Sequence, residues 1–125
     1  MRKIEAIVKM ATLERVIDAL VRTGITGVTL SHVRGSGRQR GHSELYRGPD
    51  YVVNLLPKIK LELLVADDRV DEMIGVVREA AHTGRIGDGK IVVVPVEEVV
   101  RVRTGERGEG AVYSGHCHWF PRNYA

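Results

Sequence analysis

Three short stretches combine residue types that could do chemistry. Thr83–Gly84–Arg85–Ile86–Gly87–Asp88–Gly89–Lys90 sets three glycines ahead of a lysine. Glycines let backbone N–H groups approach a phosphate closely, and Lys90 adds a positive charge. The stretch is not a Walker loop, because no serine or threonine follows the lysine and a strand pattern, not a helix, comes next. Gly35–Ser36–Gly37–Arg38–Gln39 is a second glycine loop. It departs from a dinucleotide fingerprint, since its third glycine is displaced and no helix pattern follows. In Arg101–Val102–Arg103, strand alternation would put both guanidinium groups on one side, and two forks on one face suit polyphosphate oxygens. Taken singly, the three also read as a helix-to-strand turn, a flexible loop opening and a solvated edge. Together they favour a nucleoside diphosphate or triphosphate.

Bond-breaking chemistry is harder to find. No Ser/His/Asp arrangement is supported by spacing. Asp67–Asp68 and Glu97–Glu98 read as a helix cap and a solvated turn. His32 and His42 read as strand and loop residues. His116–Cys117–His118 is the one ligand-like cluster, but adjacent residues in a strand point opposite ways, so a closed zinc site needs help from elsewhere.

The elements that must position these groups are legible from periodicity. The chain has 125 residues, 43% hydrophobic and 28% charged, with a net charge of +3. That suits one soluble domain with one core, and the mild positive charge is compatible with an anionic ligand. A single cysteine, Cys117, excludes an internal disulfide framework and fits a reducing cytosol. Residues 1–10 hold no long apolar run, so neither a signal peptide nor a membrane span is expected there, and the chain reads as cytoplasmic.

Residues 1–9 alternate as a strand, with Ile4, Ala6 and Val8 on the buried face. Thr12 is the expected N-cap of a helix carrying Leu13, Val16, Ile17, Leu20 and Val21, which Thr23–Gly24 stops. Residues 25–33 read as a second strand and 58–66 as a third. Asp67 or Asp68 is expected to cap a helix with Val70, Met73, Ile74 and Val77 on its apolar face. Residues 91–94 read as a fourth strand, ended by Pro95, and residues 99–103 as a short edge strand. The pattern predicts an α+β, ferredoxin-like βαββαβ sandwich with an antiparallel sheet and both helices on one face. Its open face, rich in Ile, Leu and Val, would need cover, most simply by self-association. Residues 34–57 form the long excursion between the middle strands, and loops of that length are more often functional than filler.

With these residues in hand, the chain resembles the PII nitrogen-regulatory signal proteins over about residues 1–109. The resemblance rests on Lys3–Ile4–Glu5–Ala6–Ile7, on the run from Gly35 through Gln39, His42, Tyr46 and Gly48, and on Val65–Ala66–Asp67–Asp68. Thr83 through Lys90 and Val102–Arg103–Thr104–Gly105–Glu106 extend it. The resemblance implies a non-enzymatic homotrimer in which ATP and ADP compete for clefts between subunits. It implies adenine held at Thr29 and the Leu64 backbone, with Glu62 nearby. The phosphates would lie against Gly37, Arg38, Gly87, Asp88, Gly89 and Lys90, with Arg101 and Arg103 supplied by the adjacent subunit. Gln39 would ligate Mg²⁺ together with ATP and 2-oxoglutarate, flanked by Gly41 and Gly87, and Lys58 would pair with the effector's distal carboxylate. The loop at about 37–55, the T-loop of the family, would dock on an ammonium transporter or a nitrogen-metabolism enzyme. Tyr51 matches a position that a nucleotidyltransferase modifies in some members.

The sequence also departs from the family pattern. Pro49–Asp50 precedes Tyr51, Met10–Ala11–Thr12 follows Lys9, Asn54 stands where Asp is common, and Ile91–Val92 lacks the usual phenylalanine. An extension, residues 110–125, carries Tyr113, Trp119, Phe120 and Tyr124, and the whole tail from Gly105 to Ala125 is expected to be irregular. The competing readings are a PII relative with a metal- or carbon-linked effector acting through that tail, a phosphate-handling enzyme using Arg38 and Lys90, and an RNA-binding module. The last is disfavoured because no aromatic residue sits mid-strand for base stacking, so nucleic-acid binding is not expected; nor, without a long apolar run, is direct membrane insertion.

Overall fold

The computed structural model describes residues 1–25, 27–36 and 55–112. The alternating start becomes β1 (Arg2–Val8), and the first amphipathic stretch becomes α1 (Leu13–Arg22). β2 (Thr29–Gly35) and β3 (Leu56–Val65) flank the long excursion, α2 (Val70–Ala81) follows, and β4 (Gly89–Pro95) completes the sheet. β1 pairs antiparallel with both β3 and β4, and β2 pairs antiparallel with β3, giving the order β2-β3-β1-β4. This is the expected antiparallel α+β sandwich with a split βαβ arrangement. The core lies between the sheet and the helices. Ile4, Ala6 and Val8 of β1 and Ile59, Leu61, Leu63 and Val65 of β3 meet Val16 and Leu20 of α1 and Met73 and Val77 of α2. Each large buried side chain contributes about 1.5–3 kcal/mol relative to exposure. Arg69 ties the helices together, donating from Nη2 to the Thr23 carbonyl at 3.2 Å while its Nε bonds Glu72 at 3.0 Å.

Several local expectations are corrected. Thr12 caps nothing: its backbone is already helical, its side chain is buried, and its hydroxyl donates to the Lys9 carbonyl at 3.0 Å. Asp67 and Asp68 sit in a 3₁₀ turn (Asp67–Arg69) ahead of α2 and make no cap hydrogen bond. Asp67 instead binds the Met1 amino group at 2.9 Å and the Arg2 Nε at 3.3 Å, fastening the start of β1 beside α2. β2 starts later than its β-branched composition suggests, because Ile25 is spent in the core rather than on the ladder. Pro57 lies inside β3, opposite Arg34, but β1 reaches only as far as Ile59. β3 is therefore an edge strand at Pro57, where a missing N–H is tolerated.

Residues 99–103 form no edge strand. A single bridge joins Val100 and Arg107, and residues 102–104 turn between them. Arg101 and Arg103 therefore do not alternate on one strand face, because Arg101 N–H donates to the Glu106 carbonyl and Gly105 N–H to the Arg101 carbonyl, both at 2.8 Å. Nor is the whole tail irregular: a short helix, α3 (Glu109–Val112), buries Ala111 and Val112.

The open sheet face is more polar than expected. Glu5 stands opposite Glu62, a like-charge pair that would destabilise the ladder alone. Lys3 reaches Glu5 at 2.7 Å, and Lys60 lies 3.3 Å from Glu62 and 3.9 Å from Glu5. The hydrogen bond from Lys3 holds the Glu5 carboxyl below its usual range. Leu64 and Val92 remain exposed on this face.

Candidate functional site

The glycine loop after α2 is built around one carboxylate. Thr83 and Gly84 donate their backbone N–H groups to Asp88 Oδ2 at 2.8 and 2.9 Å. The Thr83 hydroxyl donates to Asp88 Oδ1 and accepts from the Arg85 N–H at 3.2 Å. Lys9 Nζ, at the end of β1, lies 3.1 Å from Asp88 Oδ1. The Thr83 hydroxyl, then the Thr83 N–H and Lys9, push the Asp88 carboxyl far below the ordinary carboxylate range. Asp88 was expected against phosphate, yet its carboxylate is taken up in shaping the loop. Of its partners, Thr83 entered the sequence reading only as the start of the glycine stretch, and Lys9 was given no role there. An Asp a few residues beyond a Thr–Gly turn is a recognisable side-chain-to-backbone signal, but the lysine 79 positions earlier leaves no local trace.

The sign of the pH dependence follows. A folded pKa depressed below 3.8 contributes stability present above that pH and lost as the carboxyl protonates in strong acid. Asp88→Asn is therefore expected to lower the melting temperature at pH 7, with the gap to wild type narrowing as the pH falls below 3.8. A gap independent of pH in calorimetric scans would contradict this role.

Beside the loop lies a cavity of about 420 Å³, lined by Ile7, Gly35, Ser36, Lys58 and the run from Arg85 to Lys90. Lys58, on β3, donates to the Gly87 carbonyl at 2.7 Å. Partial burial, then repulsion from Lys9, lowers its pKa, with Asp88 opposing. Lys58, Lys90 and Arg85 give the cavity positive charge, and the acidic group nearest them is already engaged. Such a site favours an anion. A wider groove between α1 and α2, lined by Arg15, Asp18, Arg22 and Glu79, mixes both signs and converges on no such group.

The other expected residues are spread out. Thr29 stands opposite Glu62 on the open sheet face, with Leu64 two residues further along β3. Arg101 and Arg103 lie in the turn before α3 and do not line the cavity. Gly37, Arg38, Gln39, Gly41 and Tyr51 lie outside the described residues, as do His116, Cys117 and His118.

The description "Nitrogen regulatory protein P-II" matches residues 1–106. The chain belongs to the P-II family. It is 56% identical to the P-II protein of Azospirillum brasilense over 112 residues, which are 90% of this chain and all of the relative. It is 51% identical to the nitrogen regulatory protein GlnK of Escherichia coli K12 over the same share. The solved structure of Arabidopsis thaliana PII bound to citrate superposes with a TM-score of 0.71 at 43% identity, covering 89% of this chain and 88% of that one. P-II proteins are regulators of nitrogen metabolism and not enzymes, which accounts for the lack of a legible catalytic arrangement. Among the described residues no helix is long and apolar enough to cross a membrane.

Proposed function

We propose that this P-II chain senses the ATP/ADP ratio and 2-oxoglutarate and passes the result to nitrogen-metabolism targets through residues 37–55. One observation carries the reading. A basic, glycine-lined cavity in a P-II family member holds Lys58 partly desolvated and repelled by Lys9. A lysine in that state gains from an arriving carboxylate, which restores its preference for the charged form. The Arabidopsis relative is bound to citrate, a polycarboxylate like 2-oxoglutarate.

In this reading the nucleotide lies in a cleft between copies of a homotrimer. Thr29 and the Leu64 backbone hold the adenine, with Glu62 nearby. Gly37, Arg38, Gly87, Asp88, Gly89 and Lys90 face the phosphates, Asp88 through its backbone because its side chain is engaged. The adjacent copy supplies Arg101 and Arg103. It is supported by their absence from the cavity lining of their own chain, while β4 carries the chain away from Gly89.

Lys58 pairs with the distal carboxylate of 2-oxoglutarate, flanked by Gly41 and Gly87. The described residues contain no group of three or more His, Cys, Asp or Glu side chains able to hold a metal ion. The oxygen ligands that Mg²⁺ prefers would then come from the nucleotide, the keto acid and Gln39. The ligand state sets the posture of the loop, which binds an ammonium transporter or a metabolic enzyme in the cytoplasm, and Tyr51 is its candidate site for a nucleotidyltransferase.

Calorimetric titration tests the site. Lys90 is exposed and Arg103 is exposed, so truncating either leaves the core intact. Lys90→Ala and Arg103→Ala are each expected to weaken ATP at least several-fold, since a charge-assisted contact is worth about 1.5–3 kcal/mol. Unchanged affinity in both would refute the assignment.

A further inference from the structure

The two arginines of the turn before α3 are held very differently. Arg101 Nη2 donates to the carbonyl of Ala111 at 2.9 Å. Ala111 is in the last turn of α3, where carbonyls have no acceptor role within the helix and a cationic side chain is favoured. Arg101 Nε is buried with no hydrogen-bond partner among the described residues. The backbone of Arg101 is fixed as well, by Glu106 and Gly105. α3 itself is anchored: Gly108 donates to the Val99 carbonyl at 3.0 Å and to Glu98 Oε1 at 3.1 Å, Ala111 N–H returns to the Gly108 carbonyl, and Ala111 and Val112 are buried. Arg103, by contrast, is exposed, and the intervening Val102 is 99% exposed.

We propose that α3 is the positioning element for Arg101, its Ala111 carbonyl holding the guanidinium in one orientation so that nucleotide phosphate meets an already ordered fork. This rests on the phosphate role given to Arg101 above. A guanidinium whose Nε is packed and whose Nη2 is bonded has little rotamer freedom left to lose, and binding strengthens when ordering is completed beforehand. Among the described residues Arg103 has no such support, so on this proposal the ligand orders it. Residues beyond Arg103 thus act on nucleotide affinity without touching the nucleotide.

Gly108 is the lever. Its φ is +71°, and a Cβ there meets nothing within 4 Å. Gly108→Val therefore strains the backbone at the start of α3, and Gly108→Ala, whose added Cβ has open space, is a milder version should valine impair folding. ATP affinity is read by calorimetry on full-length trimer-forming protein, in wild-type, Arg101→Ala and Arg103→Ala backgrounds. Gly108→Val is expected to weaken ATP about 3- to 10-fold in wild type, to do the same in Arg103→Ala, and to add nothing in Arg101→Ala. An equal loss in all three backgrounds, or unchanged or tighter binding in wild type, overturns the positioning role while leaving the nucleotide site standing. If Arg101→Ala alone leaves ATP affinity unchanged, the phosphate role of Arg101 fails, and the positioning role with it.

Discussion

Gly89→Ala is expected to lower the melting temperature by roughly 10 °C or more. Gly89 opens β4 at φ +111°, where an L-residue is strained. That strain costs about 1–3 kcal/mol. An added Cβ would also stand 1.8 Å from the Ile7 carbonyl oxygen, 2.9 Å from its carbon and 3.2 Å from Val8 Cα. These are backbone atoms of β1, the strand paired on both sides, so they cannot yield without breaking the ladder between Val8 and Gly89. Strain and clash together should reach about 3–5 kcal/mol, a large fraction of a small domain's stability. Gly84→Ala is the internal control. Gly84 has φ +84°, but its added Cβ meets only the His82 ring at 3.8 Å, so only the strain remains. Thermal unfolding by circular dichroism should rank Gly89→Ala far below Gly84→Ala. Equal losses would mean that the loop does not press against β1. The same contact seats Lys90 next to Ile7 in the cavity wall.

What the sequence made legible was whatever has a period or a local stop. The apolar alternation of β1, the helical spacing of Val16 and Leu20 and the Thr23–Gly24 terminus led to the sandwich, because each is decided within a few residues. Gly24 does take the left-handed conformation expected of it, at φ +79°. Arg101–Val102–Arg103 misled for the same reason. Three residues alternate as a strand would, but the Glu106 carbonyl and Gly105 N–H close the chain into a turn, and turn closure outcompetes propensity over so short a span. Thr12 looked like a cap because threonine before an amphipathic run usually is one; an extra 3₁₀ turn (Met10–Thr12) moved it inside. The glycine loop was visible as a phosphate-type loop, but its organisation was not. Lys9 to Asp88, Lys58 to Gly87 and Asp67 to the amino terminus join residues 29 to 79 positions apart, and no local pattern encodes them.

2-Oxoglutarate is expected to bind only when Mg²⁺ and ATP are both present. The keto acid carries two negative charges into a cavity that ATP would already share. Lys58 can answer one of them. Its ammonium is partly desolvated and sits near Lys9, so pairing with the distal carboxylate removes an existing electrostatic cost. Its bond to the Gly87 carbonyl at 2.7 Å uses one of three ammonium N–H groups, so the effector's carboxylate and the nucleotide loop would share one cation. The other carboxylate would lie beside the phosphates, to which Lys90 is assigned in this reading, and the anionic phosphates would repel it unless a cation stood between them. Bound Mg²⁺ would supply the missing positive charge and a preference for oxygen ligands. EDTA, or ADP in place of ATP, should therefore weaken 2-oxoglutarate by about 100-fold or more, equivalent to roughly 2.8 kcal/mol at 1.4 kcal/mol per decade. Glutarate, which keeps both carboxylates and lacks the ketone, should fail alongside them. Lys58→Met should abolish effector binding while leaving ATP affinity within a few-fold, because the reading assigns that lysine to the effector and not to the nucleotide. Isothermal titration in the four conditions separates these outcomes, and tight 2-oxoglutarate binding in EDTA would rule out chelation as the basis of coupling. It would leave Lys58 and the cavity as a simple dicarboxylate site, with the loop responding to the keto acid and the nucleotide independently.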